Sequence, residues 1–411
     1  MDPRRNPYAP GAGTKPPALV GRDEQIEAFD ILLERLERGY TAQSEIITGL
    51  RGVGKTVLLD VFRDKAEARD WATVEWEVEK SAPFASKMAA QVRRALLQLA
   101  PKARWTERAL RAAAVLKSFT LTFSPDGGMT AGLDVDALAG AADSGALSED
   151  LSDLFVAVGD AAAEHGVGVV FLLDEIQFLK SADLEALIVA LHKGARRSLP
   201  ITLVGAGLPQ IPRLAGEAKS YSERLFRFVT IDRLDPGTDA RDALILPARD
   251  LGVELEPAAV DLVVDYTQGY PYFLQEYGRI IWDETSASPV GLDEVASLLP
   301  LIEAKLDESF FRVRAERTTE LELRSRRTHH GARAALPLRH GATGPRSASR
   351  ERGRSRRRAY RGASGPDPLT VDRQGLAVHP GARPRGVHGA PVRQVHAALP
   401  RRPGGLSGRQ G

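Results

Sequence analysis

Eight consecutive residues, Gly49-Leu50-Arg51-Gly52-Val53-Gly54-Lys55-Thr56, have the types and order needed to hold a chain of phosphates. Gly49, Gly52 and Gly54 free the backbone for positive φ and for close approach to an anion. Successive N–H groups then point at the phosphates, with the N-terminus of the next helix behind them. Lys55 reaches the β- and γ-phosphates as a point charge, and Thr56 offers a hydroxyl to Mg²⁺. Val53 and Val57 belong to the same cradle. The run Ser44-Glu45-Ile46-Ile47-Thr48 before it reads as a strand, and Val57 to Phe62 after it has helical spacing. A glycine turn with a merely solvated lysine would not need that context.

A second group completes the chemistry. Asp174-Glu175 follows the apolar run Val167 to Leu173, the pattern of a strand buried on both faces. Asp174 is placed to hold Mg²⁺ through water opposite Thr56, and Glu175 to orient or deprotonate an attacking water. An acidic pair at a strand end can also cap a helix; the glycine loop upstream favours the metal. No Asn-Lys-x-Asp segment for reading guanine occurs, which points to ATP rather than GTP.

These groups must be positioned by a sheet. Further strands are expected at Ala72–Val78, Ile201–Ala206 and Phe228–Ile231, with helices at Met88–Leu99, Asp150–Glu164 and Leu184–Leu191 between them. Alternation of strand and helix predicts a three-layer α/β domain with a mostly parallel five-stranded sheet over residues 19–234. Phe119-Thr120-Leu121-Thr122-Phe123 and Met129–Val135 flank Pro125-Asp126-Gly127-Gly128, and predict a β-hairpin insertion at about 118–136. From Asp235 the strand signal stops. Arg241–Leu251, Pro257–Gln268, Pro271–Glu284 and Leu292–Phe311 predict a small all-helical domain over 235–317. Residues 1–18, rich in Pro and Gly, read as an extended linker.

Composition divides the chain at Thr318. Beyond it stand 20 Arg, no Lys and 5 acidic residues, against 36 basic and 49 acidic residues before it. A segment so poor in bulky apolar residues cannot offset the entropy of ordering, so 318–411 is expected to be disordered. An arginine-rich stretch such as Arg350–Arg361 could neutralise nucleic-acid phosphates. Alternatively, a one-base shift in the codons allowed for Arg373–Ala398 permits an amphipathic strand, turn and strand, like the wing of a winged-helix domain read out of frame. The absence of cysteine excludes disulfides and cysteine-ligated zinc. His165 and His192 have no partners at metal-ligand spacing and are expected at the surface. The N-terminus has no apolar core of a signal peptide, and no run is long enough to cross a bilayer, so a cytoplasmic protein is expected.

The order of these motifs resembles the AAA-like ATPases of the origin-recognition and STAND type, over roughly residues 17–317. Leu19-Val20-Gly21-Arg22-Asp23-Glu24 is similar to the family's segment before the first strand, and Gly269-Tyr270-Pro271 to its G-x-P motif. The resemblance implies that Val20, Gly21 and Pro271 border the adenine. It further implies that the helical domain is a lid over ATP and that the sheet order is 5-1-4-3-2. A winged helix after the lid would bring a DNA or protein partner, and a homo-oligomer would let Arg224 or Arg227 act as an arginine finger on a neighbouring subunit. Where such proteins place a polar sensor at the end of the fourth strand, this chain reads Val204-Gly205-Ala206-Gly207, leaving Thr202 as the nearest polar candidate. The function implied is a Mg²⁺-dependent ATPase acting as a nucleotide-driven switch, or else a nucleotide-binding scaffold with little turnover or an origin-type DNA-binding ATPase.

Overall fold

Strands β1 (Ser44–Thr48), β2 (Ala72–Glu77), β3 (Val169–Asp174), β4 (Ile201–Gly207) and β5 (Phe226–Thr230) form one sheet in a computed structural model that describes residues 1–11, 13–99, 105–124 and 135–308. Every pairing is parallel and the order is β2-β3-β4-β1-β5, the expected order read from the other edge. Parallel strands need crossover connections, and these supply the two outer layers. They are α2 (Lys55–Glu67) after β1, α3 (Phe84–Leu99), α4 (Glu107–Phe123) and α5 (Leu147–Glu164) after β2, and α6 (Ser181–Arg196) after β3. Helices α7 (Ile211–Ala218) and α8 (Ser222–Leu225) join β4 to β5. Strands β1, β3 and β4 are almost wholly buried, as covered faces require.

The pairing brings the working ends together. Thr48 lies opposite Gly207, and Leu173 opposite Gly205. The carboxyl ends of β1, β4 and β3 therefore stand side by side, where open α/β sheets bind ligands. Helix α1 (Asp23–Glu37) buries Phe29, Leu32, Leu33 and Leu36, and Phe29 stacks on Phe62 of α2 with ring centroids 4.2 Å apart. This stack holds the segment before α1 against the helix that follows the glycine loop. Phe62→Ala should lower stability by about 3–5 kcal/mol through a buried cavity. Chemical denaturation would show it as a fall in midpoint at unchanged slope.

The expected hairpin is corrected. Phe119–Phe123 is the last part of α4, not a strand. The alternation Phe-Thr-Leu-Thr-Phe also fits a helix, because Ala109, Ala112, Ala113, Leu116, Phe119 and Thr120 bury at helical spacing. Thr120 and Thr122 each donate a hydroxyl to the carbonyl four residues back, which lets β-branched residues end a helix. The sheet is accordingly all parallel among the described residues, rather than mostly so. The other arm of that hairpin falls on 125–134 and lies outside them, as do the expectations for 318–411.

After β5 come α9 (Asp239–Arg249), α10 (Pro257–Thr267), α11 (Pro271–Glu284) and α12 (Leu292–Leu306), packed around the buried residues Leu274, Tyr277, Ile280 and Ile281 of α11. The segment expected as a linker docks on this helical unit. Tyr8 is buried and donates its hydroxyl to Leu244 O at 2.5 Å. Asn6 Nδ2 donates to Arg279 O at 2.9 Å, and Trp282 Nε1 to Asp2 O at 2.9 Å.

Candidate functional site: a glycine loop beside an acidic strand end

The loop 49–54 leaves β1 and enters α2 with Gly52 at φ 85° and Gly54 at φ 95°, the left-handed region where a Cβ is costly. Gly49 N donates to Gly207 O at 3.2 Å, so the loop starts anchored to β4. Among the described residues, no acceptor is paired with the N–H groups of Gly52, Val53, Gly54, Lys55 or Thr56. They form a concave row of donors at a helix N-terminus, suited to a polyanion. Val53 and Val57 are buried beneath it.

Lys55 is 6% exposed and folds back on the loop, donating Nζ to Gly49 O at 3.0 Å and Leu50 O at 2.8 Å. Burial holds its ammonium below the usual lysine pKa, opposed by the charges of Asp174 and Glu175. Those carboxylates stand across from the loop at the end of β3. Thr56 donates Oγ1 to Asp174 Oδ2 at 2.6 Å. Asp174 Oδ1 accepts from Glu175 N at 2.7 Å, and Glu175 takes a left-handed backbone at φ 52°. A side chain in that region is strained by about 1–3 kcal/mol. Glu175 is thereby turned out of the strand line while Asp174 stays on Thr56.

Two more segments close on the loop. Arg22, 8% exposed, donates Nη1 to Gly21 O at 3.0 Å, and Nη2 to Val53 O at 3.1 Å and Asp232 O at 2.7 Å. This pins Val20-Gly21 beside the cradle. Burial lowers the Arg22 pKa, with Asp239 and Asp232 opposing. From the other side, Pro271 opens α11, where its missing N–H costs nothing. The neighbouring Tyr272 N donates to Gly52 O at 3.2 Å, and the Tyr270 hydroxyl donates to Arg51 O. The helical unit thus touches the glycine loop through the start of α11.

The structure brings together Lys55, Thr56, Asp174 and Glu175, with Val20, Gly21 and Pro271 at the margin. It separates others. Thr202 lies near the start of β4, its Oγ1 3.2 Å from Ser44 Oγ, at the opposite end of the sheet from the cradle. The sensor expectation for Thr202 is corrected on that ground. Arg224, in α8 ahead of β5, is exposed and also at that far end, its carbonyl accepting from Gln43 Nε2 at 3.0 Å. Arg227 is committed to Glu45, 2.9 Å away across the β1–β5 register. His165 and His192 are half-buried rather than at the surface, His192 packing against the Tyr221 ring.

The Glu45–Arg227 pair gives a pH prediction. Burial raises the Glu45 pKa, and Arg227 pulls it back. A carboxyl raised in the fold favours the protonated state, so its contribution to stability falls as pH rises through the folded pKa. Arg227→Ala removes the restraint. It should cost about 1–3 kcal/mol at pH 8, discounted because Arg227 is partly exposed, and less as pH falls and Glu45 takes a proton. Unfolding curves at pH 5 and 8 would check the difference.

Arg22, Tyr270 and Gln177 were not singled out as site residues from the sequence. The first two sit inside motifs that had been noted, so their position was the available signal. Among the described residues, no group of three His, Asp or Glu could hold a metal alone. A cation between Thr56 and Asp174 would need phosphate oxygens and water to complete its shell, which is the usual habit of Mg²⁺.

Residues 18–204 match the family model of the AAA ATPase domain. No curated protein matches the chain. Among solved structures, the Thermotoga maritima RuvB Holliday junction branch migration motor is similar at 16% identity, covering 71% of this chain and 73% of that one, TM-score 0.40. The Aeropyrum pernix ORC1 protein in complex with DNA is similar at 16% identity, covering 71% and 67%, TM-score 0.40. Cdc6p from Pyrobaculum aerophilum is similar at 15% identity, covering 69% and 64%, TM-score 0.40. No helix among the described residues is long and apolar enough to cross a membrane.

Proposed function

We propose, from the match of residues 18–204 to the family model of the AAA ATPase domain and from the geometry above, that the chain binds ATP with Mg²⁺ and hydrolyses it as a conformational switch. One observation carries the reading: the hydroxyl that follows the cradle lysine lies 2.6 Å from the carboxylate that ends β3. Two segments 118 residues apart in sequence thus meet at one point, beside a row of N–H donors that have no acceptor among the described residues.

In this reading the N–H groups of Gly52–Thr56 receive the phosphates. Lys55 exchanges its two loop carbonyls for β- and γ-phosphate oxygens, a charge-assisted contact that the neutral carbonyls cannot match. Thr56 and Asp174 would hold Mg²⁺, which supplies charge neutralisation on the phosphates. Glu175 orients the attacking water and accepts its proton. Val20, Gly21 and Pro271 border the base. The switch element is the helical unit, whose α11 touches Arg51 and Gly52 directly, so a change in the loop bears on α11 without an intermediary. The exposed Arg224 is the candidate to enter a neighbouring copy's site, since it is remote from its own.

Phosphate release tests the reading. Turnover of ATP that requires Mg²⁺ and stops with a chelator is expected. Tight ATP binding with no metal-dependent release would leave a scaffold instead, the reading favoured by the apolar end of β4.

A further inference from the structure

The end of β4 lacks a polar side chain, yet a polar group stands there. Gln177 belongs to the 3-10 turn Ile176–Phe178 that follows Glu175. Its amide oxygen accepts from Leu208 N at 3.1 Å, just beyond β4, and its amide nitrogen donates to Glu175 Oε2. The two partners fix the amide's orientation: an N–H needs the oxygen, and a carboxylate needs the nitrogen. Gly207 leaves the space, for a Cβ there would overlap the Gln177 amide oxygen. The same peptide faces the cradle from its other side, because Gly207 O accepts from Gly49 N at 3.2 Å. A continuous path therefore runs from the first N–H of the phosphate loop, through the Gly207–Leu208 peptide and the Gln177 amide, to Glu175.

Resting on the ATPase reading above, we propose that Gln177 is the positioning residue for Glu175. It stands in for the missing β4 side chain and ties the glutamate to the peptide that anchors the phosphate loop. Glu175 needs such a tie. Its backbone is in the left-handed region, and among the described residues its carboxylate has no other hydrogen-bond donor. The amide holds one carboxylate oxygen, and among the described residues the other has no hydrogen-bond donor. Gln177 touches neither phosphate nor metal in this arrangement, so its effect is on rate through Glu175 and not on affinity.

The test compares wild type, Gln177→Ala, Gln177→Glu and Glu175→Gln for ATP turnover with Mg²⁺ and for ATP affinity by calorimetry. Gln177→Glu keeps the size and the acceptor for Leu208 N but replaces the donor with a second negative charge, so it separates positioning from packing. Misplacing a reacting group by about 1 Å costs up to roughly 100-fold. Both Gln177 variants should therefore lose about 10- to 100-fold in kcat, with Kd for ATP within about twofold of wild type. In the Glu175→Gln background, adding Gln177→Ala should change kcat little further, because the residue acts through the group already removed. Turnover of Gln177→Glu within about twofold of wild type would overturn the positioning role while leaving the ATPase reading intact. So would a full additional loss in the double variant. Wild-type turnover that is absent, or unchanged in Glu175→Gln, would overturn both.

Discussion

Lys55→Ala should abolish tight nucleotide binding while leaving the fold in place. The wild-type ammonium is buried, with two carbonyls accepting from it and its pKa held down by burial. Removing it unsatisfies Gly49 O and Leu50 O but also relieves the cost of a buried charge, and these terms oppose each other. The expected change in stability is therefore small, within about 1 kcal/mol. Binding has no such offset. Truncating one partner of a desolvated, hydrogen-bonded charge pair costs about 2–5 kcal/mol, which puts the loss of ATP affinity at roughly 30-fold or more. Calorimetric titration beside a thermal melt reads both quantities. A variant that melts like wild type and binds ATP equally well would remove Lys55 from the site.

Glu175→Gln should show the opposite division. The amide matches the carboxylate in size, and its oxygen can still accept from Gln177 Nε2. It cannot take a proton from water. Losing a positioned general base costs about 100- to 10,000-fold in rate. Affinity for ATP should hold or improve, since a negative charge facing the phosphates has gone. Single-turnover phosphate release, with binding measured separately, distinguishes this from a general loss of structure.

Much of this arrangement was legible because it rests on local rules. The glycine loop between an apolar strand and a helix can be read from Gly49 to Thr56 directly, and so can the buried strand ending in Asp174. What periodicity could not decide was Phe119–Phe123. Five residues alternating in polarity fit a strand face, yet the stripe through Ala112, Leu116 and Phe119 had already committed them to a helix. Thr202 shows a different limit. It lies in the right strand, but only the register with β1 reveals that the strand's other end meets the cradle. The contact between Gln177 and Leu208 joins residues on two elements, so no spacing rule announces it. The docking of residues 1–9 on the helical unit was hidden for a related reason. Proline and glycine signal extended backbone, and they say nothing of what Asn6 and Tyr8 will touch.

In the proposed site the loop hydroxyl and the strand-end carboxylate share a metal once ATP is bound. In the structure they bond directly, Thr56 Oγ1 to Asp174 Oδ2 at 2.6 Å. A crystal structure of Glu175→Gln with ATP and Mn²⁺, phased on the anomalous signal of the metal, tests this most directly. An anomalous peak is expected about 2 Å from Thr56 Oγ1, flanked by phosphate oxygens, with Asp174 reaching it through water and the direct Thr56–Asp174 bond broken. A nucleotide seated on the loop with that bond intact and the metal elsewhere would contradict it.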